Sequence, residues 1–168
     1  MSGYGDDTGL DAWLSANGLA LPVGAPSKAI LRQVGSDYLD GAYEPRLACS
    51  RRTGGLAQER AFPRSGHFVG GETLPDDLIP QAWVNASYRA AYLHATQPGW
   101  AQSGTAPSER VKREKVGPID TEYFGPSEGV QANAAMGFNV DPLIDGWVSL
   151  LLCPELSGGF AGLWAIGG

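Results

Sequence analysis

The sequence predicts a mainly α-helical fold, a small bundle of about four helices with a β-hairpin extension and an extended C-terminal arm. Apolar residues recur at intervals of three and four in four separate segments, which is typical of amphipathic helices. One short segment can be folded on itself so that opposite charges face each other across two strands, and residues 157–168 carry no charge. We therefore expect a helical domain at residues 1–154, with the hairpin at 110–124, and the arm at 155–168.

The first two predicted helices each carry one apolar stripe. The first covers Thr8 to Asn17, with Thr8 as the N-cap residue. The second runs from about Ser27 to Asp40, and Gly41 follows where a left-handed residue would end it. Both stripes predict that these helices face a common core.

The other two predicted helices lie in the second half of the chain. One begins after Pro80, with Asp76 and Asp77 placed to interact with its dipole, and its many alanines would let another backbone come close. The last covers residues 142–152 and is apolar nearly all round, which favours burial on more than one side. Residues 44–74 are rich in Gly, Pro and Arg and predict mostly surface loop.

A β-hairpin is predicted around the turn Gly117-Pro118. In that register opposite charges face each other across the two strands, which favours the pairing. Because two strands alone are marginally stable in water, we expect the hairpin to pack on its own helices or on a neighbouring subunit. The predicted pairs are Val111 with Phe124, Arg113 with Glu122, Lys115 with Asp120, and Val116 with Ile119.

The composition excludes several classes of protein. The chain has 168 residues, a net charge of -6 and 18% charged residues, below the roughly 25% of an ordinary domain. Part of its surface is therefore expected to face another protein. The pI of about 4.8 is unlike that of a basic nucleic-acid binder. Neither a membrane-spanning run nor a signal peptide is predicted.

Residues of the types that serve as catalytic groups or metal ligands do not form a recognisable motif in this sequence. Cys49 and Cys153 lie far apart without CxxC spacing, and we expect them to be reduced and buried. His67 and His94 lack the spacing of a helical metal pair and predict structural roles. Nucleophile-elbow, P-loop and dinucleotide patterns are missing from the sequence. We therefore predict no catalytic residue, metal or cofactor, and no enzyme.

The loop between the second and third helices is basic and has two interpretations. Its arginines could pair with acidic groups on a neighbouring chain, because a guanidinium binds a carboxylate in a bidentate way. Alternatively, they could bind phosphates while aromatic side chains stack on bases, as in single-strand binding. The arginines concerned are Arg46, Arg51, Arg52, Arg60 and Arg64, with Phe62 and Phe68 nearby. The main candidates among them are Arg51, Arg52 and Arg64.

Four segments, in their order along the chain, resemble a known family. They are Ser36 to Gly41, Ala61 to Gly66, Leu74 to Pro80 and, most specifically, Val111 to Ile119. Over roughly residues 8–152 the sequence resembles tailed-phage proteins of the DnaT-like single-stranded-DNA-binding family. The resemblance implies a helical head-to-tail connector, or adaptor, whose copies form a homo-oligomeric ring of about twelve beneath the phage portal.

We therefore expect a structural protein of the virion neck, made in the host cytoplasm, that seals the DNA channel and presents a platform for the tail. Its expected partners are the portal protein and a tail, stopper or tail-terminator protein. Duplex DNA would pass through the lumen without specific binding, because the negative charge repels phosphate. The alternative is a single-stranded-DNA-binding accessory protein.

The C-terminal arm completes the expected interfaces. Its apolar residues would be costly to leave in water, so we expect them to dock on the portal or on a neighbouring subunit. These residues are Phe160, Leu163, Trp164 and Ile166.

Overall fold

A computed structural model describes residues 3–102, 113–116, 119–122 and 138–154; of the strands at 113–116 and 119–122 it describes the backbone. The helices in these residues are α1 (Asp7–Ala16), α2 (Lys28–Tyr43), α3 (Gln81–Thr96) and α4 (Pro142–Val148). Short 3-10 helices cover Glu44–Leu47, Gly55–Ala57, Trp100–Gln102 and Ser149–Leu151. The strands are β1 (Arg51–Arg52), β2 (Arg64–Ser65), β3 (Phe68–Val69), β4 (Glu72–Thr73), β5 (Arg113–Val116) and β6 (Ile119–Glu122).

The helix ends differ from the predicted ones at two positions. Asp6, rather than Thr8, caps α1, and its carboxylate accepts a hydrogen bond of 2.7 Å from the amide of Gly9. Helix α2 continues through Gly41, so the predicted stop there is wrong. The ring of Phe138 lies over this glycine, where an added Cβ would be 3.1 Å from the ring. Gly41 therefore serves close packing rather than helix termination.

Helices α2 and α3 form the centre of the fold. A Cβ on Gly35 would overlap the Ser87 carbonyl oxygen and the Ala91 amide, so the two backbones are close at this point. Ala86, Ala90 and Ala91 are buried in this layer. The alanine-rich side of α3 thus packs within the chain. Asp76 and Asp77 form a turn ahead of α3, outside its first helical turn.

Trp83 of α3 is fully buried at the centre of the aromatic core. Its ring contacts the ring of Phe62 at a centroid distance of 4.9 Å and that of Tyr43 at 6.5 Å. Helix α4 packs on α3 and buries Ile144 and Val148. It is shorter than predicted, because its last turn, Ser149–Leu151, is a 3-10 helix.

The strands form three two-stranded antiparallel pairs within the described residues. The β5–β6 register matches the predicted one, with Arg113 opposite Glu122, Lys115 opposite Asp120, and Val116 opposite Ile119. The predicted pair Val111 and Phe124 lies outside the described residues, as does the arm. The pairs β1–β2 and β3–β4 occupy the segment that was predicted to be loop.

The two cysteines form a disulfide, and the prediction of reduced, buried thiols is wrong. Cys49 and Cys153 have Cα atoms 5.7 Å apart although 104 positions separate them in the sequence. The end of α4 reaches the segment after α2, where the Cys153 amide donates a 3.0 Å hydrogen bond to the Arg46 carbonyl oxygen. Long-range packing, which sequence spacing does not reveal, brings the two sulfurs together.

The described part of the chain is thus mainly α-helical, with four α-helices and small antiparallel strand pairs. None of the helices in the described residues has both the length and the apolar character needed to span a membrane.

Candidate nucleic-acid interface

An open cleft of about 470 Å³ lies beside the β1–β2 hairpin, in the segment that joins α2 to α3. Strands β1 and β2 pair Arg51 with Ser65 and Arg52 with Arg64, so this short ladder supports one wall. The cleft is lined by Ala48, Cys49, Ser50, Arg51, Ser65, Gly66 and Asp76. One arginine and one carboxylate therefore face the same open space.

Arg51 is the exposed arginine of this wall. Its Nε donates a 3.2 Å hydrogen bond to Ser65 Oγ. Within the residues that the structure describes, Arg51 makes no ion pair with a carboxylate, and its side chain reaches solvent. A phosphate could therefore bind this guanidinium without displacing an acidic partner.

Arg52 and Arg64 share one carboxylate. Arg52 binds Glu44 in a bidentate way, at 2.6 Å and 2.5 Å, and this hydrogen bonding raises the pKa of Arg52. Arg64 Nη1 lies 3.4 Å from the same carboxylate. Both arginines thus pair within their own chain. Because two guanidiniums share one carboxylate, the trio keeps one net positive charge.

Arg64 is a buried structural arginine, 5% exposed. It donates hydrogen bonds to Ser50 Oγ at 2.7 Å and to the carbonyl oxygens of Leu47, Ser50 and Ala61 at 2.9, 2.6 and 3.1 Å. Burial lowers the pKa of its guanidinium. Arg64 therefore holds the cleft wall in place and is not open to a phosphate.

The two phenylalanines near these arginines have different environments. Phe62 is 1% exposed and packs against Trp83 and His67, so it cannot stack on a base. Phe68 of β3 is 61% exposed, three residues beyond Ser65. Of these two rings, Phe68 is the one available for stacking.

A half-buried serine that lines the cleft and a fully buried histidine support the cleft wall together. His67 is fully buried, and its Nε2 lies 2.9 Å from the Leu151 carbonyl oxygen. Because a carbonyl oxygen only accepts, Nε2 carries the proton and Nδ1 accepts from Ser50 Oγ at 2.8 Å. Burial lowers the pKa of His67, and the nearby Arg64 charge adds to this effect. Sequence reasoning missed this network, because its partners are distant in the chain.

A family model described as "Putative DnaT-like ssDNA binding protein" matches residues 4–160, nearly the whole chain. The chain belongs to this DnaT-like family. No curated protein and no solved structure matches it. The family part of the sequence resemblance is therefore confirmed.

The family match corrects the predicted function. It points to single-stranded DNA binding and overturns the head-to-tail connector interpretation. The expected ring, the portal and tail partners, and the unspecific passage of duplex DNA are corrected with it. The predicted location in the virion neck stays a prediction that no observation tests.

The remaining predicted interface residues of this DnaT-like protein are not among the described residues that line the cleft. The backbones of Arg113, Lys115, Ile119, Asp120 and Glu122 lie in the β5–β6 hairpin. The other hairpin residues and the arm residues lie outside the described part of the chain, namely Val111, Phe124, Phe160, Leu163, Trp164 and Ile166. Their assignment to interfaces stays a prediction.

Proposed function

We propose that this protein binds single-stranded DNA without catalysing a reaction on it. The observation that carries the proposal is the match of residues 4–160 to a family described by single-stranded DNA binding. The cleft beside β1 is where we place the contact, because an exposed arginine lines it and the exposed ring of Phe68 follows its lining residue Gly66 by two positions.

The distribution of charge supports this placement. Residues 44–66 hold five arginines and two glutamates, whereas the rest of the chain holds seven basic and sixteen acidic residues. The negative net charge therefore comes from outside this segment. A phosphate backbone would be attracted to the segment and repelled by the other surfaces, which steers the strand to one region.

One proposed contact is to the phosphate backbone of the DNA, and the other is to a base. Arg51 would bind a phosphate, since its guanidinium presents free donors beside the cleft. Phe68 would stack on a base, an interaction open to every base and therefore tolerant of sequence. Asp76 in the same cleft would repel a second phosphate there and confine the backbone to the Arg51 side.

Fluorescence anisotropy with a labelled oligothymidylate of about 20 nucleotides tests the proposal. We expect affinity for the single strand to exceed that for a duplex of equal length and to fall steeply between about 50 and 200 mM salt. Arg51→Ala should weaken binding and lower the salt slope by about 0.7, the loss of one phosphate contact. Phe68→Ala should weaken binding at least about fivefold with little change in slope.

Two matched variants control for charge and for exposed apolar area. Lys28→Ala removes one positive charge from the first turn of α2, where Lys28 pairs with Asp11. Val23→Ala trims a fully exposed apolar side chain between α1 and α2. Both should bind like the original protein. Absence of binding at low salt, or equal affinity for single strand and duplex, would contradict the proposed function.

A further inference from the structure

A disulfide joins the wall of the cleft to the residues that follow α4, at the C-terminal end of the described part of the chain. Cys49 is exposed, lines the cleft and lies two positions before Arg51. Its partner Cys153 follows the last turn of the α4 region, 104 positions along the chain. A change in this one bond therefore acts at the cleft.

Hydrogen bonds hold the two chain segments that carry the cysteines in place, independently of the bond between the sulfurs. On one side, Arg64 binds the carbonyl oxygens of Leu47 and Ser50, which flank Ala48 and Cys49. On the other side, the Leu151 carbonyl oxygen accepts a hydrogen bond from His67. Breaking the disulfide would leave these bonds in place, so the loosening should stay local to the cleft wall.

The surroundings of the sulfurs also provide a route for reduction. A thiolate of a small dithiol attacks Sγ of the exposed residue Cys49, and a mixed disulfide forms while Cys153 leaves as a thiolate. The Cys49 amide, which donates to Cys153 Sγ at 3.0 Å, stabilises that leaving thiolate. The second thiol of the reductant, as its thiolate, then displaces Cys49. The dithiol loses two electrons and becomes a disulfide, and each cysteine takes up a proton.

We propose that the Cys49–Cys153 disulfide controls the affinity of the cleft for single-stranded DNA, the oxidised protein binding more tightly. The inference rests on the proposed function. An intact bond holds the segment before Arg51 in one arrangement, whereas the reduced segment must be ordered each time a strand binds. We expect reduction to weaken binding by about three- to tenfold.

The test compares the oxidised protein with the same protein reduced by dithiothreitol, using the anisotropy assay and a titration of free thiols. The double variant Cys49→Ser/Cys153→Ser should bind like the reduced protein and should not respond to the reductant. Far-UV circular dichroism of all forms checks that the helices remain. If the double variant does not fold, chemical reduction of the original chain still decides the result.

Thermodynamic linkage between strand binding and reduction of the disulfide supplies a second, independent measurement. If oxidised protein binds the strand more tightly, then the strand must make the disulfide harder to reduce by the same factor. Equal affinities of the two redox forms, or an unchanged reduction midpoint with saturating oligothymidylate, would overturn the redox control and leave the proposed function standing. An oxidised protein that binds no strand would overturn both.

Discussion

The α2–α3 layer and the cleft region between these helices are held together by different forces. In the layer, small residues such as Gly35 and Ala91 allow close backbone contact, and Trp83 fills the core. In the cleft region, order depends on a buried arginine, a buried histidine and a disulfide. The layer should thus respond mainly to changes in volume, whereas the cleft should respond to charge, protonation and redox state.

Removing the buried guanidinium should have the largest effect. Arg64→Met fills a similar volume but takes the guanidinium donor away from the carbonyl oxygens of Leu47, Ser50 and Ala61, of which the Leu47 oxygen still accepts from the Ser50 amide. We expect a loss of about 3 kcal/mol in the free energy of unfolding, measured by urea denaturation, because buried carbonyl oxygens lose their charged donor.

The neighbouring Arg51 provides the matched control for this substitution. Arg51→Met also removes one guanidinium from the same hairpin, but this side chain is exposed. Its free energy of unfolding should change by less than about 0.5 kcal/mol. Similar losses of unfolding free energy in Arg64→Met and Arg51→Met would contradict this prediction. They would show that the buried arginine is no more important for stability than the exposed one in the same hairpin.

The helical layer should respond to a single methyl group. Gly35→Ala places a Cβ against the Ser87 carbonyl oxygen and the Ala91 amide, and the two helices must separate to accept it. We expect a loss of about 1–3 kcal/mol in the free energy of unfolding, from strain of overpacking. Thermal denaturation followed by circular dichroism at 222 nm, the usual wavelength for helix content, measures it.

A second helical glycine controls for helix propensity. Gly146 of α4 has no atom near the position of an added Cβ. Gly146→Ala should therefore stabilise the protein by about 0.5–1 kcal/mol, because alanine loses less backbone entropy than glycine. Changes of the same sign in both variants would contradict the close contact between α2 and α3.

The same contrast explains which parts of the molecule could be predicted from sequence. Helical periodicity is local, so α1 to α4 were located, and opposite charges on adjacent strands sufficed for the β5–β6 register. The cleft depends on partners such as His67 and Leu151, 84 positions apart, and on two-residue strands that have no period. The basic loop was recognised, but burial decided that Arg64 and Phe62 are structural.

The smallest expected effect on stability comes from protonation of His67, the buried histidine that supports the cleft wall. Burial lowers the pKa of His67, and its two ring nitrogens already bind Ser50 and the Leu151 carbonyl oxygen. As pH falls below the ordinary histidine value of about 6.5, the unfolded chain takes up a proton that the folded chain resists. Stability from this group is therefore present above that pH and is lost as pH falls toward the lowered value.

His67→Gln tests this sign, because glutamine keeps an amide donor for Leu151 but does not titrate. Urea denaturation at pH 7 and pH 5 should show a smaller loss of stability on acidification for the variant than for the original protein. The difference in slope cannot exceed one proton, about 1.4 kcal/mol per pH unit. If unfolding free energy has the same pH slope in His67→Gln and in the original protein, the buried imidazole does not make the cleft region pH-sensitive. The contrast with the helical layer would then depend on Arg64 and the disulfide alone.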